Sequence, residues 1–131
     1  MMDVLISDED PGSLRFLEAL LKAGGFKVES FPQLSKAVVP CLRRKYKMAL
    51  ISIRHKGGSE AVEAMLEPLR MMHEMDPDMP LVVVCDQESL EMERNLRGVG
   101  IFYLLTEPFS PEELRAVVDS AIGKHNREAV P

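Results

Sequence analysis

No apolar run in this chain approaches the ~18 residues that a membrane-spanning helix needs. No basic start leads into an apolar stretch, as a secretory signal would. A cytoplasmic protein is therefore expected. Cysteine is scarce: Cys41 and Cys85 lie inside apolar runs without metal-type spacing, so both are expected to pack in the core. Positive charge is in deficit, the formal net charge being −5. The basic runs are Arg43-Arg44-Lys45 and Arg54-His55-Lys56, and the first reads as a solvated helix end. A nucleic-acid duplex usually meets a basic face, so direct nucleic-acid binding is not expected, nor is membrane binding.

What is present is enough for one compact domain. The length of 131 residues suits a single unit, and 46% apolar residues can fill a core of two or three layers. Residues 2–7 read as a short buried strand. Asp10 and Pro11 then open a helix, with Asp as the cap and Pro at the first helical position. Leu14, Leu17, Leu20 and Leu21 follow at helical spacing, and Gly24-Gly25 closes the helix. A second strand is predicted over 26–31, and a second helix over 32–45 that Pro40 should kink. Residues 48–53 form a third strand, apolar except for Ser52.

A basic, Gly-rich loop leads to a third helix carrying Val62, Met65, Leu66, Leu69 and Met72, with Pro68 placed to bend or split it. Strand four is predicted over 80–85. A weakly amphipathic helix follows over 88–97, with Leu90 and Leu96 against five charges. Strand five spans 101–105. Ser110-Pro111-Glu112-Glu113 is a capping box before a last helix with Leu114, Val117, Val118, Ala121 and Ile122 on one stripe. Apolar strands alternating with amphipathic helices imply an α/β fold, a parallel sheet covered on both faces. The domain is expected over 1–123, leaving 124–131 as a polar tail that starts a linker to an output domain.

The order of these elements and several motifs resemble the receiver domain of bacterial response regulators. Val4-Leu5-Ile6-Ser7-Asp8-Glu9-Asp10-Pro11 is similar to that family's first strand and acidic pair. Leu20 to Val28 is similar to its passage from first helix to second strand. Gly100 to Phe109, ending Thr106-Glu107-Pro108-Phe109, is similar to its Gly-…-Lys-Pro-Phe signature. The resemblance covers residues 3 to about 123. It implies a three-layer, doubly wound parallel sheet in the flavodoxin-like order 2-1-3-4-5, with a crevice beyond strands one and three.

In that family, two acids after strand one hold a divalent cation and an aspartate ending strand three attacks phosphorus. A Thr or Ser after strand four and a Lys after strand five hold the phosphoryl oxygens. The acids match here as Asp8 and Glu9. The acceptor position holds Ser52, the hydroxyl position Cys85 and the lysine position Glu107. Three residues before the lysine position the family usually carries Tyr or Phe. Here Leu104 stands there, with Tyr103 one step off and facing the other side.

Ser52 has no adjacent histidine to act as its base and reads as a small, buried, hydrogen-bonded serine. Cys85, beside Asp86 and Glu107, lacks the positive surroundings of a reactive thiol. The expected role is regulation by protein contacts without phosphorylation and without enzymatic activity. The partner is an attached output domain, another protein, or a second copy. The fourth helix, fifth strand and fifth helix form the expected surface, with Glu91, Arg94, Arg97 and Tyr103. No cofactor is expected. The alternative is a Mg²⁺-binding receiver with a non-standard acceptor, its metal held by Asp8, Glu9 and the backbone carbonyl of Arg54. A flavin domain of the same fold class conflicts with Asp8-Glu9-Asp10 where a phosphate would sit.

Asp8, Glu9 and Glu107 are expected to meet in the crevice without a lysine. At ~5 Å and an effective dielectric of about 20, each like-charge pair costs about 3 kcal/mol. Arg54 lies two residues past Ser52, a position that the resemblance places at the crevice rim. Its planar fork suits it to replace the missing cations, unless it points into water with His55 and Lys56.

Overall fold

The structure, a computed structural model, describes residues 3–55 and 58–129; of residues 58, 59, 61, 62 and 127–129 it describes the backbone alone. Ten elements alternate: β1 (Val4–Ser7), α1 (Pro11–Ala23), β2 (Val28–Phe31), α2 (Leu34–Arg43), β3 (Met48–Ile53), α3 (Gly58–Met75), β4 (Leu81–Cys85), α4 (Leu90–Val99), β5 (Tyr103–Thr106) and α5 (Pro111–Ala129). The strands form one parallel sheet in the order β2-β1-β3-β4-β5. This is the expected α/β fold.

Burial follows from this arrangement. Every residue of β1, β3 and β4 is buried, because these strands are central and covered on both faces. One face packs Leu34, Ala37 and Val38 of α2, Leu66, Leu69 and Met72 of α3, and Met92, Leu96 and Val99 of α4. The other packs Leu14, Leu17 and Leu21 of α1 with Leu114, Val118, Ala121 and Ile122 of α5. Tyr46, wholly buried under α2, ties its hydroxyl to Glu29 of β2.

The helix starts follow the capping chemistry. The Asp10 carboxylate accepts the Ser13 N–H at 2.9 Å. Ser110 and Glu113 exchange hydrogen bonds as a capping box should, at 3.1 and 3.3 Å. At the end of α4, Gly100 takes φ +95°, where a Cβ would also lie 3.0 Å from His73 Nε2.

Several expectations need correction. Pro68 does not split its helix: α3 is one helix through Pro68, as α2 is through Pro40. The buried row Leu66, Leu69, Met72 continues on one face past Pro68, and that packing offsets the lost hydrogen bond. Helix α4 buries Met92, Leu96 and Val99, while Leu90, assigned to its apolar side, is 64% exposed. Helix α5 extends to Ala129, so the polar segment from residue 124 begins as helix. Val62's side chain, Lys56, Met2 and residues 130–131 lie outside the described residues.

Candidate functional site

Parallel register brings the C-terminal ends of the strands together at one edge. Ser7 of β1 pairs with Ile51 of β3, Ile53 with Cys85 of β4, and Cys85 with Thr106 of β5. The first residue beyond each of these strands is charged: Asp8, Arg54, Asp86 and Glu107. One local rule, repeated four times, thus builds a cluster from residues far apart in sequence.

Arg54 is at its centre. Its guanidinium donates to Asp8 Oδ2 at 3.1 Å through Nη2 and to Asp8 Oδ1 at 3.4 Å through Nε. Nη1 reaches Glu107 at 3.0–3.1 Å, and Nη2 also donates to Ser13 Oγ at 2.7 Å. The Asp8 side chain is 0% exposed, those of Arg54 and Glu107 20% and 31%. A buried carboxylate and a rim carboxylate therefore share one fixed cation, as expected from Arg54's position.

The electrostatics agree with this geometry. Burial alone would raise the Asp8 pKa, but hydrogen bonds from Arg54, Ser13 and the Asp10 N–H outweigh it and hold the carboxyl below its ordinary value. Burial pulls the Arg54 pKa down, and Asp8 and Glu107 together carry it above its usual value. Asp8 and Arg54 are both charged at any working pH.

Not every expected acid joins. The Glu9 side chain is exposed and makes no hydrogen bond or ion pair with Arg54 or Asp8, so the three-acid meeting is a pair. The reason is local: Glu9 falls between the end of β1 and the Asp10 cap and turns outward. Both Asp8 oxygens are already engaged, by Arg54 and by the Asp10 N–H at 2.9 Å. No group of three or more His, Cys, Asp or Glu side chains among the described residues is placed to hold a metal ion. A divalent cation and the Arg54 guanidinium compete for the same carboxylate, and these residues as arranged do not fit the cation.

Ser52 is buried, 2% exposed, on β3 beside Asp8. Its Oγ has no hydrogen-bond partner, which corrects the expected hydrogen-bonded serine. It lies near enough to favour the ionised Asp8 without a hydrogen bond of regular geometry. Cys85 is buried, its Sγ 3.5 Å from Thr106 Oγ1. Burial pushes that thiol's pKa up, with the nearby Glu88, Asp86 and Glu107 acting the same way, so it stays a thiol. Cys41 packs half-buried against the α2–α3 core, its pKa raised by burial to about 11.

A second tie was missed from sequence. His55, next to Arg54, donates its backbone N–H to Asp86 at 3.1 Å, and its Nδ1 lies 2.7 Å from the same carboxylate. Burial would raise the Asp86 pKa, and the bonds from His55 override it and hold the carboxyl low. Adjacent residues of one loop thus clasp β1, β4 and β5. The signal lay in the strand ends, since Asp86 is the first residue past β4.

The expected interaction surface lies away from this cluster. Tyr103 is 47% exposed and Leu104 packs inward against the α3–α4 core, so the two face opposite ways as predicted. On α4, Glu91, Arg94 and Arg97 are exposed, and Arg97 is drawn to Glu93 one turn back.

No family model matches the chain. It is 25% identical over 125 residues to the two-component response regulator-like protein APRR4 of Arabidopsis thaliana, matching 92% of this chain and 40% of that protein. The chain thus corresponds to about two fifths of that relative. Among solved structures it is similar to a CheY-like receiver domain protein from Methanospirillum hungatei, with TM-score 0.86 and 20% identity over 98% of this chain and 99% of that one. A receiver protein from Sinorhizobium medicae gives TM-score 0.77 at 23% identity, covering 95% and 96%. The beryllofluoride-activated NtrC4 receiver domain dimer gives 0.80 at 18%, covering 95% and 99%.

Proposed function

Because the chain has the receiver-domain fold of response regulators, we propose that it is a regulatory interaction module of a two-component-type system that acts without accepting a phosphoryl group. The observation that carries this reading is the seat of Arg54. Its guanidinium lies against Asp8 and Glu107, where a phosphoreceiver needs a divalent cation and a lysine. The strand that would end in a nucleophilic carboxylate offers the Ser52 hydroxyl, and a hydroxyl needs an adjacent base, whereas the carboxylate beside it, Asp8, is paired with Arg54 and held below its ordinary pKa. His55 is bound to Asp86 and does not serve Ser52.

The chemistry left to such a site is structural. Arg54 and His55, the first two residues after β3, tie it to the ends of β1, β4 and β5, so these strand ends stay fixed relative to each other. The domain then presents a constant surface, and regulation comes from what binds that surface or is joined to the chain. The face of α4, β5 and α5, with Glu91, Arg94, Arg97 and Tyr103, is the proposed contact for an output domain or protein partner. Mixed charges there set orientation more than strength. The module works in the cytoplasm, has no catalytic activity, and needs neither cofactor nor nucleic acid. Among the described residues no helix is long and apolar enough to cross a membrane.

The test is intact-mass spectrometry after incubation with Mg²⁺ and a small phosphodonor such as acetyl phosphate. The mass is expected to stay unchanged. A stable adduct of one phosphoryl group, mapped to Ser52, Asp8 or Glu9, overturns the reading.

A further inference from the structure

Charge is distributed unevenly along this chain. Residues 30–59 hold seven of its 16 Lys and Arg and none of its 21 Asp and Glu. Arg54 is used in the site. Three others gather where α2 ends, as Arg43, Arg44 and Lys45. Basic side chains suit a helix C-terminus, and two of the three have partners: Arg44 pairs with Glu29 at 2.8 Å and Lys45 with Asp76 at 3.6 Å. No ion pair or side-chain hydrogen bond engages Arg43 among the described residues.

Exposed apolar groups flank it. Leu42 is 69% exposed and Val39 50%. They wall two clefts on either side of Arg43 and Arg44. One, of about 110 Å³, runs beside Phe31, Val39 and Pro40; the other, of about 410 Å³, beside Cys41, Leu42 and Met75. The first is smaller than a cofactor site, for which about 300–1,000 Å³ is usual. It is of the order of one aliphatic side chain. Glu29 borders it, but is taken up by Arg44 and Tyr46.

The complement lies on the same molecule. After Leu42, the most exposed large apolar side chain among the described residues is Leu90, at 64%. It begins α4, with Glu88 and Glu91 exposed on either side of it. One of these two apolar side chains therefore stands in a basic setting and the other in an acidic one. Helix α3 lies between α2 and α4 and packs on both, so the two patches occupy opposite edges of one helical layer. They cannot meet within one molecule.

We propose that the α2 clefts receive a second copy of this chain. Leu90 of one molecule enters beside Val39 and Leu42 of the next, and Glu91 meets Arg43, while Glu88 is held by the Thr106 hydroxyl at 3.1 Å. Because the patches differ and lie at opposite edges, the contact is head-to-tail, and every molecule in an assembly uses one of each. The inference deepens the proposed function by naming a partner, and it rests on that reading only in taking this as a contact domain.

Sedimentation velocity of the whole chain over a concentration series, at low and high salt, tests it. The wild type is expected to grow past the dimer with concentration, and less so at high salt. Arg43→Glu and Glu91→Arg are each expected to weaken association about tenfold or more, with unchanged circular dichroism. The double variant Arg43→Glu/Glu91→Arg regains association, because the charge pair is restored with its signs exchanged. Leu90→Ser weakens association without altering charge. A wild type that stays monomeric throughout, a dimer indifferent to Arg43→Glu, or a double variant no better than the singles overturns the inference. A monomer that still resists the phosphodonor sinks the head-to-tail contact alone; phosphorylation with association intact sinks the proposed function alone.

Discussion

Replacing Arg54 by alanine removes the cation that two carboxylates share. Asp8, its side chain fully buried, keeps the Asp10 N–H but loses both guanidinium contacts, and Glu107 loses its partner at the rim. Stranding one member of a fully buried ion pair costs about 3–5 kcal/mol. Arg54 is itself one-fifth exposed and Glu107 nearly one-third, so water relieves part of this. The expected loss is about 2–4 kcal/mol, a fall of roughly 7–15 °C in melting temperature for a domain this size. The emptied seat also frees Asp8 for a divalent cation. At a Mg²⁺ concentration ten times its dissociation constant, linkage returns about 1.4 kcal/mol. Thermal melts followed by circular dichroism, for both proteins with and without Mg²⁺, measure each part. An Arg54→Ala protein that melts like the wild type, or a wild type strongly stabilised by Mg²⁺, refutes the reasoning.

Other outcomes follow from the same geometry. His55→Ala deletes one side-chain contact to Asp86 and leaves the backbone N–H bond, so urea unfolding should show a loss of about 1 kcal/mol. Asp8, Asp86 and Asp3 all have depressed carboxyl pKa values in the folded chain. Their contributions are complete above the unfolded carboxylate pKa of about 3.9 and are lost as pH falls through the folded values. Melting temperature should therefore fall below about pH 4 as these groups protonate. Ser52→Asp places a third carboxylate beside Asp8 with only Arg54 to offset it, so it should lower the melting temperature and still give no phosphoryl adduct by intact mass. Charge reversal at Arg94 and Arg97 together should alter partner binding or full-length activity; no change in either places the working surface elsewhere.

The parallel sheet was legible because burial on both faces leaves central strands almost wholly apolar, as in Met48–Ile53 and Leu81–Cys85, while its order was implied by the family resemblance alone. Helix starts were legible where a cap carries its own chemistry, at Asp10 and Ser110. Pro68 misled as a possible break in α3, because local propensity there is overridden by packing that the local sequence does not display. Leu90 was assigned to an apolar side on spacing alone, and Met92 and Val99 took that side once α4 settled against α3.

In the site, Arg54's reach could be anticipated because its position relative to β3 fixes where its side chain starts. The His55–Asp86 tie depends on which atoms beyond β3 and β4 face each other across strands. That is a property of register between distant segments, and no local pattern encodes it.

The central claim is that Arg54 closes the crevice at the strand ends to metal and phosphoryl group alike. Two-dimensional ¹H–¹⁵N spectra of the wild-type chain, titrated first with Mg²⁺ and then with beryllofluoride as a phosphoryl mimic, test it directly. The account predicts that the amides of Asp8, Glu9, Ser52, Arg54 and Glu107 do not move through either titration. Saturable shifts clustered at those residues would mean that the guanidinium yields its seat, and would contradict the account.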